Sequence, residues 1–263
     1  MSEETSPLLL ERRGALAFLR FNRPARRHAI NFEMMRMLDV HLKTLEGASE
    51  VRCVILGSTG AGVFVSGGDL RELRVLRTHE EALSMTQQMG GLLRRLERLD
   101  AVVLAAIDGL AIGGGCEIAL AADQRFVSAE GALIFRQVQL GLLCGWGGLT
   151  RLERLVGRAR AFSILAREPH VTPERALRLG LVEEVVPSER LMERVEQVGE
   201  ELCRLPPLAL RGLKRGLLRI PEISFEQAQD YEAELFARTW ASEDHWEALD
   251  AFQGGRTPNL KGR

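Results

Sequence analysis

The sequence predicts an α/β protein with a helical C-terminal region. Short apolar runs typical of strands alternate with helical periodicity as far as about residue 190, which favours a core with much parallel strand pairing. From about Leu191 onward the pattern is helical, with breaks at Pro206-Pro207 and Pro221. A chain of 263 residues can bury a sizeable core. We therefore divide it into a core over 1–190 and a helical region over 191–263.

The first elements follow from local signals near the N-terminus. Residues 8–21 alternate as two strands around the turn Arg13-Gly14, which predicts a hairpin. Asn31 is a good helix-capping residue, and apolar residues recur after it at helical spacing. The N-terminus carries neither a long apolar stretch nor a basic leader, so we expect a cytoplasmic protein without a membrane span.

Two glycine-rich turns form the candidate active site. Ser66-Gly67-Gly68-Asp69 follows apolar runs at 51–56 and 63–65, and Gly113-Gly114-Gly115-Cys116-Glu117 follows the run at 102–107. Each turn leads into a helical pattern, so each would present unpaired backbone N–H groups at a helix N-terminus, where negative charge is favoured. A single such turn can equally serve only tight strand-to-helix packing. The pair indicates the two halves of an oxyanion hole.

Other site chemistries find no support in the residues. The spacing G-x-G-x-x-G occurs at neither turn, which argues against a dinucleotide site. Ser66 has no identifiable His or Asp partner for a nucleophilic mechanism, and the five histidines lie outside the turns. The four cysteines are widely spaced without a CxxC pair, which favours reduced thiols over disulfides or a metal site. The net charge of −1 argues against a generic polyanion binder.

Four ordered segments give the chain a resemblance to a known family. They are Phe21-Asn22-Arg23-Pro24 with Ala29-Ile30-Asn31, residues 64–70, residues 108–117, and Leu140-Gly141-Leu142 with Gly145-Trp146-Gly147-Gly148. On these segments the chain resembles the crotonase superfamily, the enoyl-CoA hydratase/isomerase family of acyl-CoA enzymes, over nearly all of 8–263. The resemblance implies a crotonase-like spiral of ββα units. It also implies that the C-terminal helices form homotrimers or pairs of trimers.

The resemblance assigns the centre of the site. It places the two oxyanion donors on the backbone N–H groups of Gly68 and Gly114, and the first of the family's two catalytic glutamates on Glu117. The position of the second glutamate carries Gln137 here, preceded by Arg136 where the family has proline. An amide neither takes nor gives that proton, so one general acid or base, worth roughly 10²- to 10⁴-fold in rate, is missing.

The resemblance also implies contacts with the acyl-CoA substrate, which brings coenzyme A with it, so we expect no separate cofactor. In the loop after the first hairpin, Arg26 and Arg27 would pair with a CoA phosphate, the alternative being solvated arginines. The other expected contacts are Ser66, Asp69, Leu70, Trp146, Phe252 and Lys261. Asp69 is also expected to order its turn. Gly255 departs from the family's basic residue there, a loss for which Lys261 or Arg256 would compensate.

The lost glutamate makes the reaction the open question. Hydration and double-bond isomerisation both rely on it, whereas decarboxylation of a malonyl-type thioester gives the enolate directly and needs the oxyanion hole more than a base. The segment 133–148 and Thr239-Trp240 are similar to the ethylmalonyl-CoA decarboxylase branch. We therefore favour decarboxylation and keep hydration by Glu117 alone as the alternative. Trp146 would be either a pocket wall or a plain core aromatic.

A hypothesis of a different class is an RNA-binding or non-catalytic member of the superfamily. Its candidate feature is the basic amphipathic stretch 92–99. The leucines of that stretch recur at helical spacing, which favours a helix packed on the core with a solvated basic face, and no aromatics are interleaved for base stacking. We expect no nucleic-acid partner. Substrate choice would be set by loops such as 74–85.

Overall fold

The computed structural model describes residues 6–263. The chain begins with an antiparallel hairpin of β1 (Leu8–Arg13) and β2 (Leu16–Phe21), in which Arg13 pairs with Leu16. Helix α1 (Phe32–Glu46) follows, and the Oδ1 atom of its capping residue Asn31 accepts a hydrogen bond from Met34 N at 3.0 Å. The predicted hairpin and helix cap are both confirmed.

The strands of the described residues, including the hairpin, form two sheets. A six-stranded sheet has the order β1-β2-β3-β5-β7-β10, adding to the hairpin the strands β3 (Cys53–Ser58), β5 (Val102–Ile107), β7 (Gln124–Ser128) and β10 (Glu184–Val186). A four-stranded sheet has the order β4-β6-β8-β9, made of β4 (Val63–Val65), β6 (Leu110–Ile112), β8 (Ala132–Ile134) and β9 (His170–Val171). All pairings are parallel except β1 with β2 and β8 with β9.

Successive strands alternate between the two sheets, and this alternation winds the chain into a spiral. Strands β3, β5 and β7 lie in the larger sheet, and each is followed by a short strand of the smaller one. Two helices come after β4, namely α2 (Leu70–Leu73) and α3 (His79–Glu97), and one after β6, namely α4 (Gly114–Ala119). The repeat is therefore ββα, which confirms the α/β class and the spiral that the resemblance implied.

Helices cover the spiral and complete the chain. They are α5 (Gly148–Val156), α6 (Arg158–Ala166), α7 (Pro173–Arg178), α8 (Ser188–Cys203), α9 (Pro207–Arg219), α10 (Phe225–Trp240) and α11 (Glu243–Gly254). Pro207 occupies the first turn of α9, and Pro221 lies in the 3₁₀ turn before α10, so both proline breaks fall between helices. Within residues 6–263, no helix combines the length and the apolar character needed to cross a bilayer.

The boundary at residues 190 and 191 does not coincide with a break in the structure, because it falls inside α8. Leu191 and Val195 of that helix are buried in a cluster with Phe18, Ile55 and Leu104 of the large sheet. Helix α8 therefore belongs to the core, since its apolar face covers strands that would otherwise be exposed. The outlying helical region begins at α9.

The basic stretch 92–99 lies at the end of α3 and packs as expected for a core helix. Leu92, Leu93 and Leu96 are buried. Arg95 forms ion pairs with Glu46 and Asp39 of α1, with N–O distances of 2.7 and 2.5 Å. These three leucines therefore pack in the hydrophobic core.

Candidate active site

The two glycine turns lie side by side at the ends of β4 and β6. These strands are parallel neighbours, so their carboxyl ends meet at the same edge of the small sheet. Gly67 has φ of +93°, a conformation that favours glycine, and a methyl group there would lie 3.2 Å from Gly114 N. A methyl group on Gly115 would lie 2.0 Å from Val65 O. Glycine is thus required for the turns to approach this closely.

Both predicted oxyanion donors have backbone N–H groups that are available to a ligand. Gly114 is the first residue of α4, so its N–H has no acceptor within the helix. In the part of the chain that the structure describes, the N–H of Gly68 donates to no protein acceptor, although its neighbour Asp69 N donates to Ile30 O at 2.8 Å. The geometry supports a pair of donors for one oxygen, as an oxyanion hole requires.

The indole of Trp146 packs against both turns. A methyl group on Gly114 would lie 2.1 Å from Trp146 Cζ3, and one on Gly68 would lie 3.7 Å from Cζ2. Arg151 fixes the backbone here, because its Nη1 donates to Trp146 O at 3.0 Å while its Nη2 pairs with Glu97 at 2.9 Å. Trp146 is buried and also lines the cavity beside the turns, so it is a wall of that cavity.

The carboxylate of Glu117 is buried and held by the loop before α5. Its Oε2 accepts from Trp146 N at 2.7 Å and from Gly148 N at 2.9 Å, and its Oε1 accepts from Gly145 N at 3.3 Å. These donors favour the anion, but burial outweighs them and raises the pKa of Glu117 above the usual range of glutamate. Glu117 is therefore poised to hold a proton more readily than a solvated glutamate.

Gln137 completes the polar end of the site. Its Nε2 donates to Glu117 Oε1 at 3.3 Å. Its Oε1 is buried and accepts no hydrogen bond from any residue that the structure describes. Nearby, burial raises the pKa of the Cys144 thiol to about 12, so that cysteine stays protonated and is a poor nucleophile. Gln137 thus leaves one unsatisfied acceptor beside the candidate acid.

A cavity of about 500 Å³ joins these groups, within the usual range for small-molecule sites. Its walls include both glycine turns, Glu117, Gln137 and Trp146. Arg74, Leu76, Ala82 and Met85 also line it, as expected of 74–85, although this segment includes the first residues of α3 as well as a loop. Three exposed leucines that were not predicted as site residues also line the cavity, namely Leu140, Leu142 and Leu143, and their only signal in the sequence is the apolar run around Gly141.

The other predicted substrate contacts fall into two groups. Ser66 and Leu70 line the cavity. Asp69 does not line it, because its carboxylate caps α2 through Arg71 N at 3.2 Å and pairs with Arg23 at 3.0 Å. This geometry supports the expected ordering role.

The remaining predicted contacts lie outside the cavity. Arg26 and Arg27 are exposed on the first loop, whose Arg27 O accepts from Ser66 N at 3.1 Å and so ties the loop to the first turn. Phe252 on α11 is 85% exposed, and Lys261 follows in the C-terminal tail. Neither of these last two lines the cavity within one chain.

The sequence and the fold both match known proteins. A family model described as enoyl-CoA hydratase/isomerase matches residues 11–263. The chain belongs to the enoyl-CoA hydratase/isomerase family. It is therefore a member of the crotonase superfamily, and the family to which it belongs acts on acyl-CoA thioesters.

Relatives of this family member include proteins named for different reactions. The chain is 33% identical over 253 residues to the short-chain-enoyl-CoA hydratase of Clostridium acetobutylicum, covering 95% of each protein. It is 30% identical over 237 residues to the ethylmalonyl-CoA decarboxylase of Homo sapiens, covering 89% of this chain and 77% of the relative. The crystal structure of an enoyl-CoA hydratase from Bacillus anthracis has a TM-score of 0.93 at 27% identity, covering 98% of this chain and 100% of that one.

Proposed function

We propose that this enzyme decarboxylates a malonyl-type acyl-CoA thioester. The observation that carries the proposal is the polar end of the cavity, where one buried carboxylate, Glu117, faces an amide, Gln137, instead of a second carboxylate. The thioester oxygen would bind the N–H groups of Gly68 and Gly114. Relatives named as ethylmalonyl-CoA decarboxylases, at 28 to 30% identity, support the same reaction class.

The chemistry needs an electron sink and then a proton. When the bond between the α-carbon and the substrate carboxylate breaks, its electron pair moves toward the thioester oxygen and CO₂ departs. The two backbone N–H groups stabilise the resulting enolate, a contribution that is typically worth 10²- to 10³-fold per donor. Glu117, whose pKa is raised by burial, then donates its proton to the α-carbon and regains one from water.

The orientation of the Gln137 amide would be coupled to the proton on Glu117. An ionised Glu117 accepts from Nε2, as in the structure, and leaves Oε1 without a partner. A protonated Glu117 can instead donate to Oε1 once the amide rotates by half a turn. In either orientation the amide carries no charge, whereas a glutamate at this position would repel the substrate carboxylate.

One observation favours hydration as the second candidate. Glu117 lines the cavity, and its Oε1 is held only by two contacts of 3.3 Å, so a water molecule in the cavity could donate to it. Glu117 would then act as the general base for addition of that water to an enoyl thioester. The hydratase names among the relatives support this alternative.

The CoA portion and the assembly form a further part of the proposal. We assign Arg26 and Arg27 to the CoA phosphates, since both guanidiniums are exposed on a loop tied to the first turn. Phe252 and Lys261 would reach the substrate from a neighbouring copy in a homotrimer or a pair of trimers. Exposed apolar side chains on the outlying helices support such an assembly: Leu213, Leu217, Phe225, Phe236 and Trp240. The expected cytoplasmic location and the absence of a separate cofactor stay predictions.

The test is turnover of methylmalonyl-, ethylmalonyl- and crotonyl-CoA, followed by mass spectrometry beside a Glu117→Gln control. Loss of CO₂ from the malonyl thioesters supports the proposal, and Glu117→Gln should then slow turnover about 10²- to 10⁴-fold. Near-normal turnover by that variant would remove Glu117 from the mechanism. Water addition to crotonyl-CoA with no decarboxylation would establish the second candidate instead.

A further inference from the structure

A second cavity shares Trp146 with the first but is lined by no residue of either glycine turn. It has a volume of about 560 Å³ and is lined by residues of α3, α5, α9 and α10, with Trp146 belonging to both cavities. We call it the basic cleft, because seven arginine and lysine side chains line it against two glutamates, Glu97 and Glu222. The whole chain has a net charge of only −1, so this excess of positive charge is local.

Four of the seven cations are neutralised by acidic partners. Arg151 pairs with Glu97 at 2.9 Å and Lys214 with Asp123 at 2.7 Å. Arg215 pairs with Asp100 at 2.6 Å, and Arg219 with Glu222 at 3.0 Å. Arg151 and Lys214 are buried, and a buried cation needs a negative partner. Ion pairing therefore explains these four cations without a ligand.

The other three cations are Arg94, Arg98 and Arg154. Within residues 6–263, Arg94 and Arg154 form no ion pair or side-chain hydrogen bond. Arg98 comes only within 3.9 Å of Glu222, a carboxylate that Arg219 already holds. Arg94 lies in the last turn of α3 and Arg98 is the capping residue that follows it, a spacing of four residues at which like charges repel. All three residues are exposed to solvent, and an anion bound between them would relieve this repulsion.

We infer that the basic cleft binds a small anionic ligand carrying two or more phosphate groups. Guanidinium groups match phosphate oxygens in paired hydrogen bonds, and a phosphate brings more charge into the same space than a carboxylate. The hydroxyls of Thr150 and Tyr231, which also line the cleft, can donate to further oxygens. The volume suits a small molecule. This inference does not depend on which reaction takes place in the cavity beside the glycine turns.

The test is isothermal titration of the full-length protein with inorganic pyrophosphate, repeated with Arg94→Gln and Arg154→Gln. Each substitution should weaken binding about tenfold, because it removes a charge-assisted contact. The matched control is Arg160→Gln, which removes an exposed arginine from α6 outside the cleft and should change affinity less than twofold. Thermal unfolding of each variant checks that the fold is intact.

Several outcomes would overturn the inference. Absence of a binding signal with pyrophosphate at millimolar concentration, or equal weakening by Arg160→Gln, would show that the cleft has no specific site. Tighter binding of citrate than of pyrophosphate would refute the phosphate class. Competition by saturating coenzyme A, or a parallel loss of acyl-CoA turnover in Arg94→Gln and Arg154→Gln, would make the cleft part of the substrate site. Retained turnover with weakened pyrophosphate binding supports a separate site.

Discussion

The substitution Gln137→Glu tests the reading of the active site most directly. It replaces the amide nitrogen that lies 3.3 Å from Glu117 Oε1 with a carboxylate oxygen in the same buried place. Two unit charges at that distance repel by about 5 kcal/mol at an effective dielectric constant of about 20. This energy corresponds to a rise in pKa of between three and four for one of the two groups. The pair would therefore share one proton at neutral pH.

That change should move the enzyme from one reaction toward the other. The substrate carboxylate of a malonyl thioester would meet a negative charge in place of an amide donor, so we expect kcat/KM for decarboxylation to fall at least about 10²-fold. Hydration of crotonyl-CoA would gain the second acid or base that it lacks and rise by about 10²- to 10⁴-fold. Both rates can be measured by mass spectrometry on the same enzyme preparation at neutral pH.

Two further variants separate charge from shape. Val138→Glu adds the same charge one residue along at an exposed position that does not line the cavity, so it should leave both rates nearly unchanged. Gln137→Leu removes the amide without adding charge and should slow decarboxylation less than Gln137→Glu does. Unchanged decarboxylation in Gln137→Glu would refute the reasoning, because the amide would then not face the reacting carboxylate.

Three more predictions follow from particular contacts. Gly114→Ala places a methyl group 2.1 Å from Trp146 Cζ3, so displacement of the indole and the turn should lower kcat about 10²- to 10³-fold. Asp244→Ala removes a buried carboxylate that accepts from Lys261 N at 2.6 Å, so the C-terminal tail should be cut faster by trypsin, as mass spectrometry would show. The raised pKa of Glu117 means that its stabilising effect is complete below its ordinary pKa of 4.5 and is lost as the pH rises through the folded value. The unfolding free energy of wild type relative to Glu117→Gln, from urea titrations, should therefore fall across that pH range.

Each of these has a result that would contradict it. Full activity in Gly114→Ala would mean that the indole yields to the methyl group without displacing the N–H donor of the second turn. Wild-type resistance to trypsin in Asp244→Ala would show that other contacts hold the tail. A free-energy difference for Glu117→Gln that rises with pH would mean that the backbone donors of Trp146 and Gly148 outweigh burial and lower the pKa instead.

Much of the fold could be predicted because its signals are local. The turn at Arg13-Gly14 and the cap at Asn31 depend on residues only a few positions away, and both appear in the structure as predicted. The glycine turns could also be located, since each follows an apolar run. The helix after the first turn, however, lasts only from Leu70 to Leu73 before a new helix begins.

The position of α8 shows where local signals fail. Its pattern resembles that of the outlying helices, so the boundary predicted from the sequence falls inside its first turn. Only the packing of Leu191 and Val195 against the large sheet assigns this helix to the core. Whether a helix face is buried depends on which strands lie beneath it. The order of strands in a sheet cannot be predicted from a short segment of sequence.

The sequence by itself determined which groups the site contains: two glycine turns, one glutamate at 117 and an amide at 137. The tertiary structure decided how these groups meet. It turned Nε2 of Gln137 toward Glu117, set the indole of Trp146 across both turns, and gathered arginines from α3 and α5 in one cleft. These contacts join residues about 20 to 80 positions apart, and long-range packing, which local propensity does not encode, fixes their distances and orientations.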